Sequence, residues 1–150
     1  MKDVRKELHA LCAHELKSKI NSVNEAIALQ KESSSGDTKS SAGDKFETGT
    51  AMTHLELEKL GNQLNNLETS LRKLNAFERI TPSSTVKAGS LIKTERNFFW
   101  ISIGIGEVTL ENIKYYVISP ISPVAQHLLG KKAGYAFVFN KQQDRIIQIL

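Results

Sequence analysis

Residues 33–49 read SSSGDTKSSAGDKFETG, with five serines, three glycines and no aliphatic side chain larger than Ala42. A stretch of this composition cannot anchor a core, and glycine- and serine-rich clusters punctuate a chain between periodic segments. On each side lies a long segment with helical periodicity and few breakers. A polar, acidic loop between two such segments predicts the tip of a helical hairpin.

Working outward towards the N-terminus, Val4, Leu8, Cys12, Leu16, Ile20, Val23 and Ile27 recur at steps of four or three. That spacing predicts a one-faced helix from about Lys2 to Glu32. At a rise of 1.5 Å per residue it would reach roughly 45 Å, more than a core this small covers. Towards the C-terminus, Leu57, Leu60, Leu64, Leu67, Leu71 and Leu74 alternate steps of three and four, an a/d seam over nearly three heptads. Thr53 continues the seam, Gly61 lies off it, and Asn62, Asn65 and Asn66 make the outer face polar. Two arms of similar length joined by one loop predict an antiparallel coiled coil. A parallel dimer of long helices is the competing arrangement, and the glycine- and serine-rich interruption argues against it.

Pro82 and its neighbouring serines predict a helix stop near Glu78–Ile80 and a domain boundary after it. Beyond the boundary the pattern changes. Ser90–Thr94, Phe98–Ile105 and Tyr115–Ser119 are rich in β-branched and aromatic residues and read as strands. Ser122 as cap and Pro123 at the first helical position predict a short helix, stopped by Gly130 and Gly134. Strands are expected over Tyr135–Asn140 and Arg145–Leu150, joined by the polar turn Lys141–Asp144. In the run Phe98, Phe99, Trp100, alternation buries only part of the set, with core as the default for each ring. The expected architecture is α+β: residues 1–80 a helical hairpin, residues 81–150 a small domain of strands and one helix.

The composition narrows the function without naming it. The 150 residues carry a net charge of +4, with a sequence pI of about 9.2. Residues 1–80 hold twelve Lys/Arg against twelve Asp/Glu and residues 81–150 hold eight against four, so the whole excess belongs to the second half. A basic half favours an acidic partner surface or RNA. The single cysteine, Cys12, excludes an internal disulfide and a multi-cysteine zinc site, and its place on the seam makes it a buried thiol. With no secretory signal and no apolar run long enough for a bilayer, the expected setting is the cytoplasm, away from membranes, with a monomer as the expected state. No Ser-His-Asp, Cys-His or zinc-ligand spacing supports a stand-alone enzyme. Neither helix has the basic face that a duplex reader needs.

Residues 122–134 read SPVAQHLLGKKAG, followed by a strand, a polar turn and a closing strand. This resembles the C-terminal signature of the bacterial Gre family of transcription elongation factors: Ser-Pro, a short helix ending in Leu-Leu-Gly-Lys, a further Lys, a Gly and two strands. Tyr116–Ser122 is similar to the strand that leads into that motif, and Ile101–Glu107 resembles a diverged form of the family's middle strands. The family also carries an antiparallel coiled coil with an acidic tip at the same end of the chain, so the resemblance spans essentially the whole sequence.

The resemblance implies an FKBP-like C-terminal domain without isomerase activity, docked at the rim of the secondary channel of bacterial RNA polymerase. It implies that the coiled coil enters the channel, where tip carboxylates help hold a Mg²⁺ ion at the polymerase's own active site. The 3′ end of backtracked RNA would then be cleaved by the polymerase, the protein itself being no enzyme. The family tip runs Gly-Asp, two residues, Glu, Asn. Gly43, Asp44, Lys45, Phe46, Glu47 and Thr48 fit that spacing, which makes Asp44 and Glu47 the candidate metal ligands and Asp37 a backup in the second register. Two hard oxygen ligands on an adaptable segment suit a Mg²⁺ that keeps some waters.

This sequence departs from the family at Thr48, where the family has Asn, at Gly49–Thr50, where it has an acidic-aromatic pair, and at Lys45, a cation beside the candidate ligand. By the same resemblance Ser122, Pro123, Lys131 and Lys132 are candidate partner-binding residues near the docking surface. From the residues alone, Ser122 and Pro123 are architectural, and the lysines complement a helix C-terminus. Asp44 with Glu47 three residues on is also the spacing of a capping box. Two further functions stay open: a Gre-like channel regulator without cleavage activity, and a protein-interaction adaptor outside transcription.

Overall fold

The computed structural model describes residues 3–37 and 43–150, with side chains described outside 34–48. Two helices come first, α1 over Val4–Asp37 and α2 over Gly43–Ala76. Asp3 starts α1: its carboxylate accepts from Lys6 N at 3.3 Å, which satisfies a donor the first turn leaves open, and its carbonyl takes the first helical bond, from Glu7 N at 3.1 Å. The predicted seam is the covered stripe of α2, since none of its six leucines is exposed and Leu60 and Leu74 are buried. Helix α2 tightens as it ends, with Phe77 N donating to Leu74 O and Glu78 N to Asn75 O. Pro82 then forbids its continuation. Among the described residues no helix is long and apolar enough to cross a membrane.

The second part is a six-stranded sheet with one short helix, so the chain is α+β as expected. Its strands are β1 (Leu91–Thr94), β2 (Phe98–Ile101), β3 (Gly106–Leu110), β4 (Ile113–Ile118), β5 (Ala136–Phe139) and β6 (Gln142–Ile149), with α3 (Pro123–Leu128) between β4 and β5. The order across the sheet is β3-β4-β2-β1-β6-β5. Only β2 and β4 pair in parallel, with Trp100 beside Val117; the other pairs are antiparallel.

The strands differ from the pattern read in the sequence chiefly at the end of β2, at β3, and at the starts of β4 and β6. The run expected through Ile105 stops at Ile101, and a strand unforeseen in the sequence, β3, begins at Gly106, whose φ of +100° turns the chain. The β3–β4 connection is the two-residue turn Glu111–Asn112, with φ of +51° and +65°. The β5–β6 connection is Asn140–Lys141, with φ of +50° and +65°. Both are two-residue connections with two positive φ values, matching the twist of the strands they join. The expected four-residue turn therefore shrinks to two, and Asp144 falls inside β6.

Alternation gives the sheet two buried faces. On one, Ile92, Phe99, Ile101, Phe137 and Ile146 pack with Val86 and with Ala125 and Leu128 of α3. The rings of Phe99, Tyr116 and Phe139 meet at centroid distances of 5.0–5.5 Å, favourable beyond the area they bury. On the other face lie Leu91, Trp100, Tyr115 and Val117, all buried, with Phe98 half-buried against Tyr115. The Trp100 indole N–H donates to Gly89 O at 3.2 Å. Gly89 itself has φ +94°, and a Cβ there would sit 1.9 Å from Ile80 Cδ1, so the position admits only glycine without rearrangement.

Internal contacts divide the chain into two compact units. One comprises the chain up to Cys12 together with Arg72–Leu150; the other is Ala13–Leu71. In the first, Leu8, Cys12 and Leu74 are completely buried. There the Arg5 guanidinium donates to Ile80 O at 2.8 Å and to Leu150 O, and His9 Nε2 lies 3.0 Å from Asn75 Oδ1. In the second, α1 and α2 line two shared clefts. One, of about 470 Å³, lies between Ser18–Val23 and Gln63–Leu67; the other, of about 410 Å³, lies between Ala26–Gln30 and Met52–Glu56.

Candidate functional site

The backbone at the predicted tip is helical for longer than the composition suggests. Helix α1 extends to Asp37 and α2 is under way from Gly43, so most of the stretch read as loop continues the arms. A glycine inside a helix costs only about 1 kcal/mol against alanine, and α2 passes through Gly49. One turn on, the buried Thr53 hydroxyl is satisfied by donating to Gly49 O at 2.8 Å. Asp44 and Glu47 are the second and fifth residues of α2. The side chains of Asp37, Asp44 and Glu47 lie outside the described residues. Among the described residues, no group of three or more His, Cys, Asp or Glu side chains is gathered that could hold a metal ion.

The second candidate region is built around α3. Ser122 has extended backbone angles, φ −66° and ψ 151°, and accepts from Ala125 N at 3.4 Å. Its hydroxyl donates to Ser119 O at 2.7 Å, so one side chain ties the helix start to the end of β4. Pro123 occupies the first turn, where its missing N–H costs nothing. At the far end Gly130 takes φ +80° and donates to Val86 O at 2.7 Å, while Lys131 O accepts from Val86 N at 2.8 Å. This reciprocal pair fixes the backbone on which the two candidate lysines stand. Lys131 Nζ lies 4.9 Å from the centre of the Tyr135 ring, a cation–π distance. Lys132 is exposed, and so is Ile121, at 84%. Ser122 and Pro123 thus have architectural roles at the start of α3, and Lys131 and Lys132 present charge beyond its other end.

Two buried polar groups escaped the sequence pattern. Asp144 is 2% exposed. Its carboxylate accepts from Thr94 Oγ1 at 2.7 Å, Asn97 Nδ2 at 2.9 Å, Arg96 N at 3.2 Å and Arg145 N at 2.8 Å. It therefore staples the β1–β2 connection to β6. Tyr115 is the other. Burial, and after it the charges of Glu111 and Glu7, push its phenol above the usual tyrosine range.

Comparison with known protein families, with curated proteins and with solved structures finds no match for this chain.

Proposed function

We propose that the protein is a Gre-like factor that binds bacterial RNA polymerase at the secondary channel and supplies tip carboxylates for cleavage of backtracked RNA. The observation that carries this reading is the segment from Ser122 to Ile149. There a Ser-capped helix with Pro123 in its first turn stops at Gly130, turns at Gly134 and closes with the β5–β6 hairpin. That is the order of parts in the family motif, here behind two helices of 34 residues each. The clefts of the Ala13–Leu71 unit support an antiparallel coiled coil, because ascending numbers on α1 meet descending numbers on α2. On this reading residues 81–150 are the FKBP-like domain, and Ser122, Pro123, Lys131 and Lys132 lie near its docking surface.

Asp44 and Glu47, with Asp37 in reserve, would contribute oxygen ligands to a Mg²⁺ shared with the polymerase. Held there, the ion supplies an activated water and charge neutralisation at the scissile phosphate. The chain's own part is to carry two carboxylates one helical turn apart at the end of a long support. A channel regulator without cleavage activity is the second reading, favoured by Thr48 and Gly49–Thr50 at positions where the family has other residues and by Lys45 beside Asp44.

The test is RNA cleavage in a stalled, backtracked elongation complex, with an Asp44→Ala/Glu47→Ala double variant and capture of core polymerase alongside. Cleavage that disappears in the variant while capture persists is the expected result. Capture without cleavage in either protein selects the regulator. Failure to capture polymerase sinks both readings and leaves an adaptor outside transcription.

A further inference from the structure

The two edges of the sheet are not alike. At the β3 edge the outward residues are Glu107 and Thr109, and Glu107 pairs with Lys114 at 3.7 Å. Charged residues of this kind guard an edge against further pairing. At the β5 edge the hydrogen-bonded partners of β6 are Tyr135, whose carbonyl accepts from Ile146 N at 2.9 Å, and in alternation Phe137 and Phe139. The N–H and C=O groups of Ala136 and Val138 therefore point away from β6, and none of them is bonded elsewhere among the described residues. Both residues are exposed, Val138 at 63%. The charges next to β5 along the chain are cationic: from Tyr115 to Gln143 it holds Lys131, Lys132 and Lys141 and no carboxylate, and Asp144 beyond is buried under its own four hydrogen bonds. On β6, Arg145 lies opposite Ala136 and is paired with Glu95 at 3.8 Å. Lys131 and Lys132 stand before β5, and Lys141 follows it at the turn.

We infer that the open edge of β5 takes an acidic, extended segment of a partner protein as a seventh strand. Main-chain bonds to Ala136 and Val138 would supply the pairing, a small or β-branched residue would lie beside Val138, and carboxylates at the segment's ends would meet Lys132 and Lys141. This is strand addition with charge at both ends to set specificity. It uses no residue of the tip but shares Lys132 with the docking surface of the polymerase reading; the titration below contains no polymerase, so its failure and the failure of that reading are distinguishable.

The test is titration of the full chain with the blocked peptide EDVTVED, followed by amide shifts in NMR and by calorimetry. The largest shifts are expected at Ala136 and Val138. Methylating the peptide's backbone nitrogens should weaken binding by about tenfold or more, since it removes main-chain donors and leaves the charge intact. Val138→Pro should do the same, because proline at an edge position removes an outward N–H and no ladder bond. Lys132→Glu/Lys141→Glu should weaken binding and flatten its salt dependence. Equal binding of the methylated peptide overturns the inference, whether or not the proline variant folds. Polyglutamate or an oligonucleotide competing as well as the peptide makes the surface a general anion site and overturns it too. So does a dimer of the free protein that Val138→Pro dissociates, which would place a second copy on the edge.

Discussion

In the sheet-bearing unit Trp100, Phe99, Ile92 and Val117 are sealed from solvent, whereas in the Ala13–Leu71 unit Leu57, Leu64 and Leu67 are each only partly covered. The difference follows from how each kind of structure satisfies its backbone. A helix closes its hydrogen bonds within a few residues and needs only a stripe of contact. A strand must borrow partners from far along the chain, so the sheet exists only where enough side chain is buried to gather them. Stability in one unit therefore rests on individual large residues and in the other on many small, repeated contributions.

Substitutions can break that contrast. Trp100→Ala should be the costliest, at about 3–5 kcal/mol, because it empties a fully buried site and strands the Gly89 carbonyl. Leu64→Ala, at a half-covered seam position, should cost only about 1–2 kcal/mol. Urea unfolding of the two variants decides the matter, and equal losses would mean that both units rest on the same kind of core. Asp144→Ala should follow, at about 2–3 kcal/mol, since Thr94, Asn97 and two backbone N–H groups lose a shared acceptor. Loss of protection at the Arg96 and Arg145 amides in hydrogen exchange would locate that effect.

The smallest effect concerns pH. The Tyr115 phenol is harder to ionise in the folded chain than in the unfolded one. Its contribution is therefore complete below the unfolded value near 10 and is lost as pH rises through the higher folded value. Urea midpoints should fall as pH climbs above about 10, and Tyr115→Phe should flatten that decline. An unchanged slope would assign the alkaline loss to other groups.

What was legible in the sequence was local or periodic. The leucine seam of α2 shows because its spacing repeats, and the start of α3 shows because Ser122 and Pro123 act within one turn. Strand β3 was hidden because Glu111–Asn112 makes a tight turn without glycine, the usual mark of such turns. Asp144 reads as a turn residue in the sequence because its partners Thr94 and Asn97 are 50 and 47 residues away. At the tip, serines and glycines suggested loop as far as Gly49, while the backbone is helical from Gly43. Glycine and serine weaken a helix by amounts that two long arms readily outweigh.

The sheet-bearing unit draws on both early and late parts of the chain, and Arg5 is bonded to the carbonyls of Ile80 and Leu150. A ribosome adding about 5–20 residues per second releases Leu8 and Cys12 roughly ten seconds before β6 exists. Through that interval two side chains destined for complete burial precede the strand that finishes their unit. The helices can form while synthesis continues, but the sheet-bearing unit is completed only when the last strand arrives and the earliest residues close upon it.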